Sequence, residues 1–195
     1  MSKKPAKSGA RERIVEAADR LFYAEGIRAV GIDRIIAEAG VAKMSLYNHF
    51  SSKDDLVLAV LQFRDEKITR YFESTIQKHV DDGSDRLNAF FSALKGWFES
   101  KGFRGCAFIN AVVELADSKH PAAVFSARHK ELFRQMIGAI VSETHGSKSA
   151  AMVPAVSMMI EGAIVTAVME GTSRAADIAR EAALTLLGPM QKQTK

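Results

Sequence analysis

Residues 40–56, GVAKMSLYNHFSSKDDL, concentrate charged and hydrogen-bonding side chains in a very short stretch. Lys43, Ser45, Tyr47, Asn48 and His49 surround Leu46 and Phe50, whose separation of four residues puts both on one face of a helix. With that face turned inward, the other side chains of a helix over 43–50 point outward. Together they have the chemistry to hold phosphate oxygens and read base edges of a DNA duplex. Lys53 follows at the start of the next helix, where unpaired backbone N–H groups and the helix dipole also favour an anion. The same spacing fits a solvated surface helix of an ordinary bundle, so spacing leaves both readings open.

Other reaction chemistry is thinly represented. The chain shows no Gly-rich phosphate loop, no metal-ligand spacing and no local nucleophile motif. The five histidines, His49, His79, His120, His129 and His145, are scattered, and His129 with His145 does not form a zinc pair. The sequence therefore points to no enzyme, no metal and no cofactor. Cys106, the single cysteine, cannot close an internal disulfide, which agrees with a cytoplasmic, reducing location. Preceded by Arg104 and placed at a helix start, its thiol has two features that favour the thiolate, yet free cysteine is equally a small core residue.

The elements that must position these groups are helical. Punctuation by Gly, Pro and Ser divides the 195 residues into about nine helical segments, with no alternating run that would make a strand. The expected fold is all-α, with 47% apolar residues to fill its core. A net charge of +4 is compatible with a polyanionic partner without requiring one. The basic start, MSKKPAKSGARER, has no apolar run behind it and reads as a flexible arm over residues 1–9 rather than a secretory signal.

The first helix is expected over 9–25, with Gly26 as its stop, the second over 32–39 and the third over 43–50. Two short helices joined through Gly40 fit a helix-turn-helix, whose second helix enters the major groove. Ser52 is the expected cap of a long fourth helix that begins by accepting from the Asp55 N–H. Helix nine is given Ser173 as its cap. The apolar stretch 150–170 approaches membrane-spanning length, but Glu161 near its middle favours burial by protein instead.

Residues 11–61, RERIVEAADRLFYAEGIRAVGIDRIIAEAGVAKMSLYNHFSSKDDLVLAVL, resemble the N-terminal DNA-binding domain of the TetR family of bacterial transcriptional regulators. The resemblance rests on AADRLFYAEG, IIAEAGV, LYNHF and SKDDL. It implies a helix-turn-helix domain over 10–55 and an effector-binding and dimerisation domain over 56–195. It also implies a homodimer that holds double-stranded operator DNA and is released by a small, largely apolar effector, as a repressor does. By position, Tyr47 and His49 should touch the DNA backbone and Lys53 a phosphate. Lys43, Met44, Ser45 and Asn48 should lie nearest the bases, with Arg34 added to the DNA-facing set. Gly31 and Ala42 depart from the family, which usually places a hydroxyl before helices two and three.

Beyond residue 61 the expectations are mostly physical. The eighth and ninth helices carry apolar stripes suited to a second subunit, with Met159, Val165, Ile178, Ala182 and Leu186 at the contact; a monomer is the alternative. Trp97, Phe98, Cys106, Phe125 and Met158 could line an effector cavity, with Asn110, Glu114 and Glu161 as orienting polar groups, or could be plain core. Two further functions compete with effector release: thiol sensing through Cys106, and a DNA-free helical adaptor. No membrane contact is expected. The effector, the operator and the target genes are not written in the sequence.

Overall fold

The computed structural model describes residues 9–190. All of the arm expected over 1–9 except Gly9 lies outside the described residues. Among those described there are nine α-helices, one 3-10 turn and no strand. The helices are α1 (Ala10–Glu25), α2 (Ile32–Ala39), α3 (Lys43–His49), α4 (Lys53–Asp81), α5 (Arg86–Phe98), α6 (Ala107–Leu115), α7 (Pro121–His145), α8 (Val153–Glu170) and α9 (Arg174–Leu187). The chain divides into two compact units, Met1–Glu66 with Ala107–Ala127, and Lys67–Cys106 with Arg128–Lys195. Helices α4 and α7 contribute residues to both units, which are called units 1 and 2 below.

Unit 1 is built on amphipathic spacing. Helix α1 buries Ile14, Val15, Ala17, Ala18, Leu21 and Phe22, and packs with α2 and α3. Ile35 and Leu46, almost wholly buried, are the inward anchors of the two short helices. Helices this short are marginal in isolation, so packing rather than propensity keeps them formed. Gly40 adopts φ 61°, ψ 44°, the left-handed conformation that ends α2 and that side chains with a Cβ resist. Neither Gly31 nor Ala42 caps with a side chain, as their residue types require. The start of α4 is better secured. Ser52 Oγ accepts from the Asp55 N–H at 3.0 Å, and the Asp55 carboxylate reaches back to Ser51 through its backbone N–H and its hydroxyl.

Unit 2 has an aromatic interior. Phe90, Phe91, Leu87 and Leu94 of α5 are almost fully buried. Phe72 stacks on Phe90 with centroids 5.5 Å apart, and Trp97 and Phe133 both meet Phe72 edge-on. Asp85 caps α5, accepting from the N–H groups of Leu87 and Asn88 at 3.0 Å each. Helix α9 packs between α5 and α8, through alanines 175, 176, 179 and 183 that let the backbones approach. Ser173 stands at the N-cap position of α9 as expected, but its Oγ donates to Glu99 rather than accepting from the helix, and Thr172 Oγ1 accepts from the Arg174 N–H.

Helix α8 is also less enclosed than its composition suggests. Val153, Val156, Ile160, Ala163, Ile164 and Ala167 face inward, while Met158, Val165 and Met169 stay exposed on the opposite side. With the preceding 3-10 turn, Ser147–Glu170 is long and apolar enough to cross a membrane by length and composition. Glu161 in its middle is not a bare charge. It accepts from Lys130 Nζ of α7 through both oxygens, at 2.7 and 2.9 Å.

Candidate nucleic-acid interface

Helix α3 can be built from its anchors outward. Leu46 and Phe50 are buried against the module's core, which fixes the helix about its own axis. Lys43, Met44, Tyr47, Asn48 and His49 are consequently exposed, and Ser45 is half-buried. Met44 keeps 68% and Tyr47 47% of its surface, a large exposure for side chains of that size. Lys53, half-buried, stands on the first turn of α4, its ammonium 5.8 Å from the Phe22 ring centroid. Of the three side chains expected at the backbone, Tyr47 and His49 are thus exposed on α3 and Lys53 is partly covered.

Two of the expected cations are held by carboxylates. Lys43 Nζ, at the start of α3, lies 3.2 Å from Asp33 Oδ1 on the opening turn of α2, an exposed pair. The hydrogen bond to Asp33, and then its charge, hold the Lys43 ammonium above its ordinary value. Arg34 makes a two-pronged ion pair with Glu25, its second prong 2.7 Å long. Exposed pairs of this kind contribute little stability, so a phosphate can replace either carboxylate at small cost.

The interior of unit 1 holds a buried ion pair. Asp19, 4% exposed, accepts from Arg64 Nε at 2.6 Å, and the Arg64 guanidinium stacks 3.7 Å from the Tyr23 ring. Neither Asp19 nor Arg64 was singled out by sequence reasoning; an acid on the apolar face of α1, next to Ala18 and Leu21, was the available signal. A cavity of about 30 Å³ lies among them, lined also by Phe22, Val57, Val60, Asn110 and Glu114. That is room for about a single water.

The expected effector residues fall into two groups. Asn110, Glu114 and Phe125 belong to unit 1, and Trp97, Phe98, Cys106, Met158 and Glu161 to unit 2. Asn110 and Glu114 line the same small cavity, while Phe125 packs on Phe108 with centroids 6.4 Å apart. The sequence expects Glu114 to orient a ligand; the structure commits its carboxylate to the backbone N–H groups of Ile27 and Arg28. In unit 2, Trp97 and Phe98 pack on each other and on Phe103. Met158 is 70% exposed on α8 and lines neither the unit 1 cavity nor the unit 2 cleft described below. Cys106 is buried just before α6 rather than opening it, so its thiol has packing neighbours and little access. A cleft of about 550 Å³ does exist in unit 2, lined by Phe98, Phe103, Val168 and the polar Glu99, Ser100, Thr172 and Ser173. Of the expected residues only Phe98 reaches it, because the turn between α8 and α9 carries no sequence signal of a cavity.

Of the residues expected at a subunit contact, Val165, Ile178 and Leu186 are exposed and Met159 and Ala182 half-buried. Met169, 81% exposed, adds to the same helix. Among the described residues no three His, Cys, Asp or Glu side chains gather as a metal site.

A short helix presenting polar groups from a compact three-helix module, with a long helical body following, defines a helix-turn-helix DNA-binding regulator. Residues 14–60 match the model of the bacterial regulatory proteins of the tetR family. The crystal structure of SCO4454, a TetR-family transcriptional regulator from Streptomyces coelicolor, superposes with a TM-score of 0.77 at 32% identity, covering 91% of this chain and 94% of that one. The chain belongs to the TetR family of transcriptional regulators. It is also similar to the transcriptional activator FasR of Mycolicibacterium smegmatis, at 36% identity over 96 residues, 48% of this chain and 43% of that protein. To the repressor DhaR of Mycobacterium sp. strain GP1 it is 32% identical over 111 residues, 57% of this chain and 54% of that protein. The chain thus spans about half the length of these curated relatives, and the two carry opposite outputs in their names.

Proposed function

We propose that the protein binds duplex operator DNA as a homodimer, with α3 in the major groove, and represses transcription until a small effector releases it. The observation that carries this reading is the exposure of Lys43, Met44, Tyr47, Asn48 and His49 on α3 opposite two buried anchors, with the half-buried Lys53 on the first turn of α4. Lys53 and the first N–H groups of α4 would hold one phosphate, Tyr47 and His49 the neighbouring backbone, and Lys43, Met44, Ser45 and Asn48 the base edges. Arg34 would exchange Glu25 for a phosphate. A second subunit would cover the exposed Val165, Ile178 and Leu186, along with Met158 and Met169, large apolar side chains that α8 and α9 leave in solvent. The unit 2 cleft offers a volume within the usual range for small-molecule sites, with Phe98 and Phe103 as apolar wall.

A duplex enriched by the protein from a random-sequence library supplies the probe. Reversing both charges in Lys43→Glu/Lys53→Glu should weaken binding by at least about a hundredfold and flatten the salt dependence by roughly one unit of slope per lost phosphate contact. The helical circular dichroism and the sedimentation coefficient should stay unchanged, since both side chains are exposed or half-exposed. A protein that enriches no duplex, or whose doubly reversed variant binds as tightly as the parent, is not the regulator proposed. An adaptor that ignores DNA would give the first of these results.

A further inference from the structure

Glu114 stands on the last turn of α6, far in sequence from the reading head, yet its carboxylate is bound to it. Oε2 accepts from the Ile27 N–H at 2.9 Å and Oε1 from the Arg28 N–H at 2.5 Å. These two donors lie in the turn between α1 and α2, downstream of the end of α1, where backbone N–H groups have no helical partner. Gly26 clears the approach. A Cβ built there would sit 3.0 Å from Glu114 Oε1, and its φ of 95° also suits glycine. A second tie runs the other way, from Arg28 Nη2 to the Leu115 carbonyl at 3.1 Å. Immediately after it Ala116 takes φ 55°, among the described residues the one non-glycine with positive φ. A side chain held in that region is strained and persists where surrounding contacts impose it.

We infer that Glu114 is a positioning residue for DNA reading: its carboxylate clamps the Ile27 and Arg28 amides and so fixes where α2, and α3 behind it, stand on α1. The inference rests on the DNA-binding reading above for its consequence, though not for the clamp itself. A carboxylate accepts through both oxygens, whereas a carboxamide has one acceptor and presents donors on its other side. Glu114→Gln must therefore leave one of the two N–H groups facing another donor, with almost no change in size.

The test combines amide hydrogen exchange on the full chain with affinity for the library-enriched duplex. In Glu114→Gln, exchange at Ile27, Arg28 or both should accelerate at least tenfold while Ile14 and Leu21 in α1 keep their rates. Affinity for the enriched duplex should fall at least fivefold, with the salt slope unchanged because no phosphate contact is lost. The sign is decisive, since deleting a negative charge near DNA would by itself tighten binding. Gly26→Ala, which crowds the carboxylate and strains the turn at φ 95° without altering charge, should reproduce both effects. Unchanged exchange at Ile27 and Arg28, an equal acceleration throughout unit 1, or tighter duplex binding would each overturn the inference. Should the parent protein enrich no duplex, the DNA reading fails and the exchange arm still decides whether the clamp exists.

Discussion

On α3 the side chains that define the surface are those the chain leaves uncovered, whereas α5 turns Leu87, Phe90, Phe91 and Leu94 wholly inward. The two helices differ in what their residues answer to. Asn48 or His49 can change with little effect on folding, because both side chains are exposed. Phe90 cannot, because it touches Phe72, Phe91 and Phe133 at centroid distances of 5.4 to 5.9 Å. The lesson is that in unit 2 aromatic residues are mainly structure, and in unit 1 exposed polar residues are mainly available for a partner.

The widest separation between the regions should come from deletion. Phe90→Ala is expected to cost about 3–5 kcal/mol by transfer and cavity terms, while Asn48→Ala should stay within about 0.5 kcal/mol. Thermal unfolding of the two variants measures this directly; equal losses would erase the distinction. The exposed apolar face of α8 and α9 is the exception within unit 2. Val165→Glu/Ile178→Glu should leave the subunit folded yet weaken self-association by at least about thirtyfold, the size of a single strong interface contact. Sedimentation across a concentration series reads it, and an unchanged assembly would move the subunit contact elsewhere.

A smaller effect sharpens the role of caps. Asp85→Ala should destabilise by about 1 kcal/mol. Partial burial pushes the Asp85 carboxyl up, but the Asn88 side chain and the Asn88 and Leu87 N–H groups outweigh it and hold the group below the usual aspartate range. A folded-state value below the unfolded one means the cap's charge-dependent contribution is complete above the ordinary aspartate value, about 3.9. It fades as pH falls through the depressed folded value. The gap between parent and variant should therefore narrow on acidification below about pH 4, as denaturant titrations across that range would show.

Much of unit 1 was legible because its signals are local. Leu46 and Phe50 at helical spacing, Gly40 in the turn and Ser52 before Asp55 each act over a few residues, and each stands in the structure where its chemistry puts it. The continuous α4 was legible as a joining helix for the same reason. Glu114 was noticed as a polar group one turn from Asn110, but its partners lie 86 and 87 residues earlier in the chain. Ser173 begins α9 where the sequence places it, but Glu99, to which its hydroxyl donates in place of a cap bond, is 74 residues away. Lys130 and Glu161 were likewise separate features until folding paired them.

The sequence by itself determined the all-helical composition, the helix-turn-helix and the family, since periodicity, turn residues and short motifs are properties of neighbouring residues. Only the tertiary structure decided which polar groups face outward and which are spent on one another. Side-chain partners over tens of residues are chosen by packing, and a carboxylate such as Glu114 acquires its role from whichever unpaired N–H groups the fold brings within about 3 Å of it.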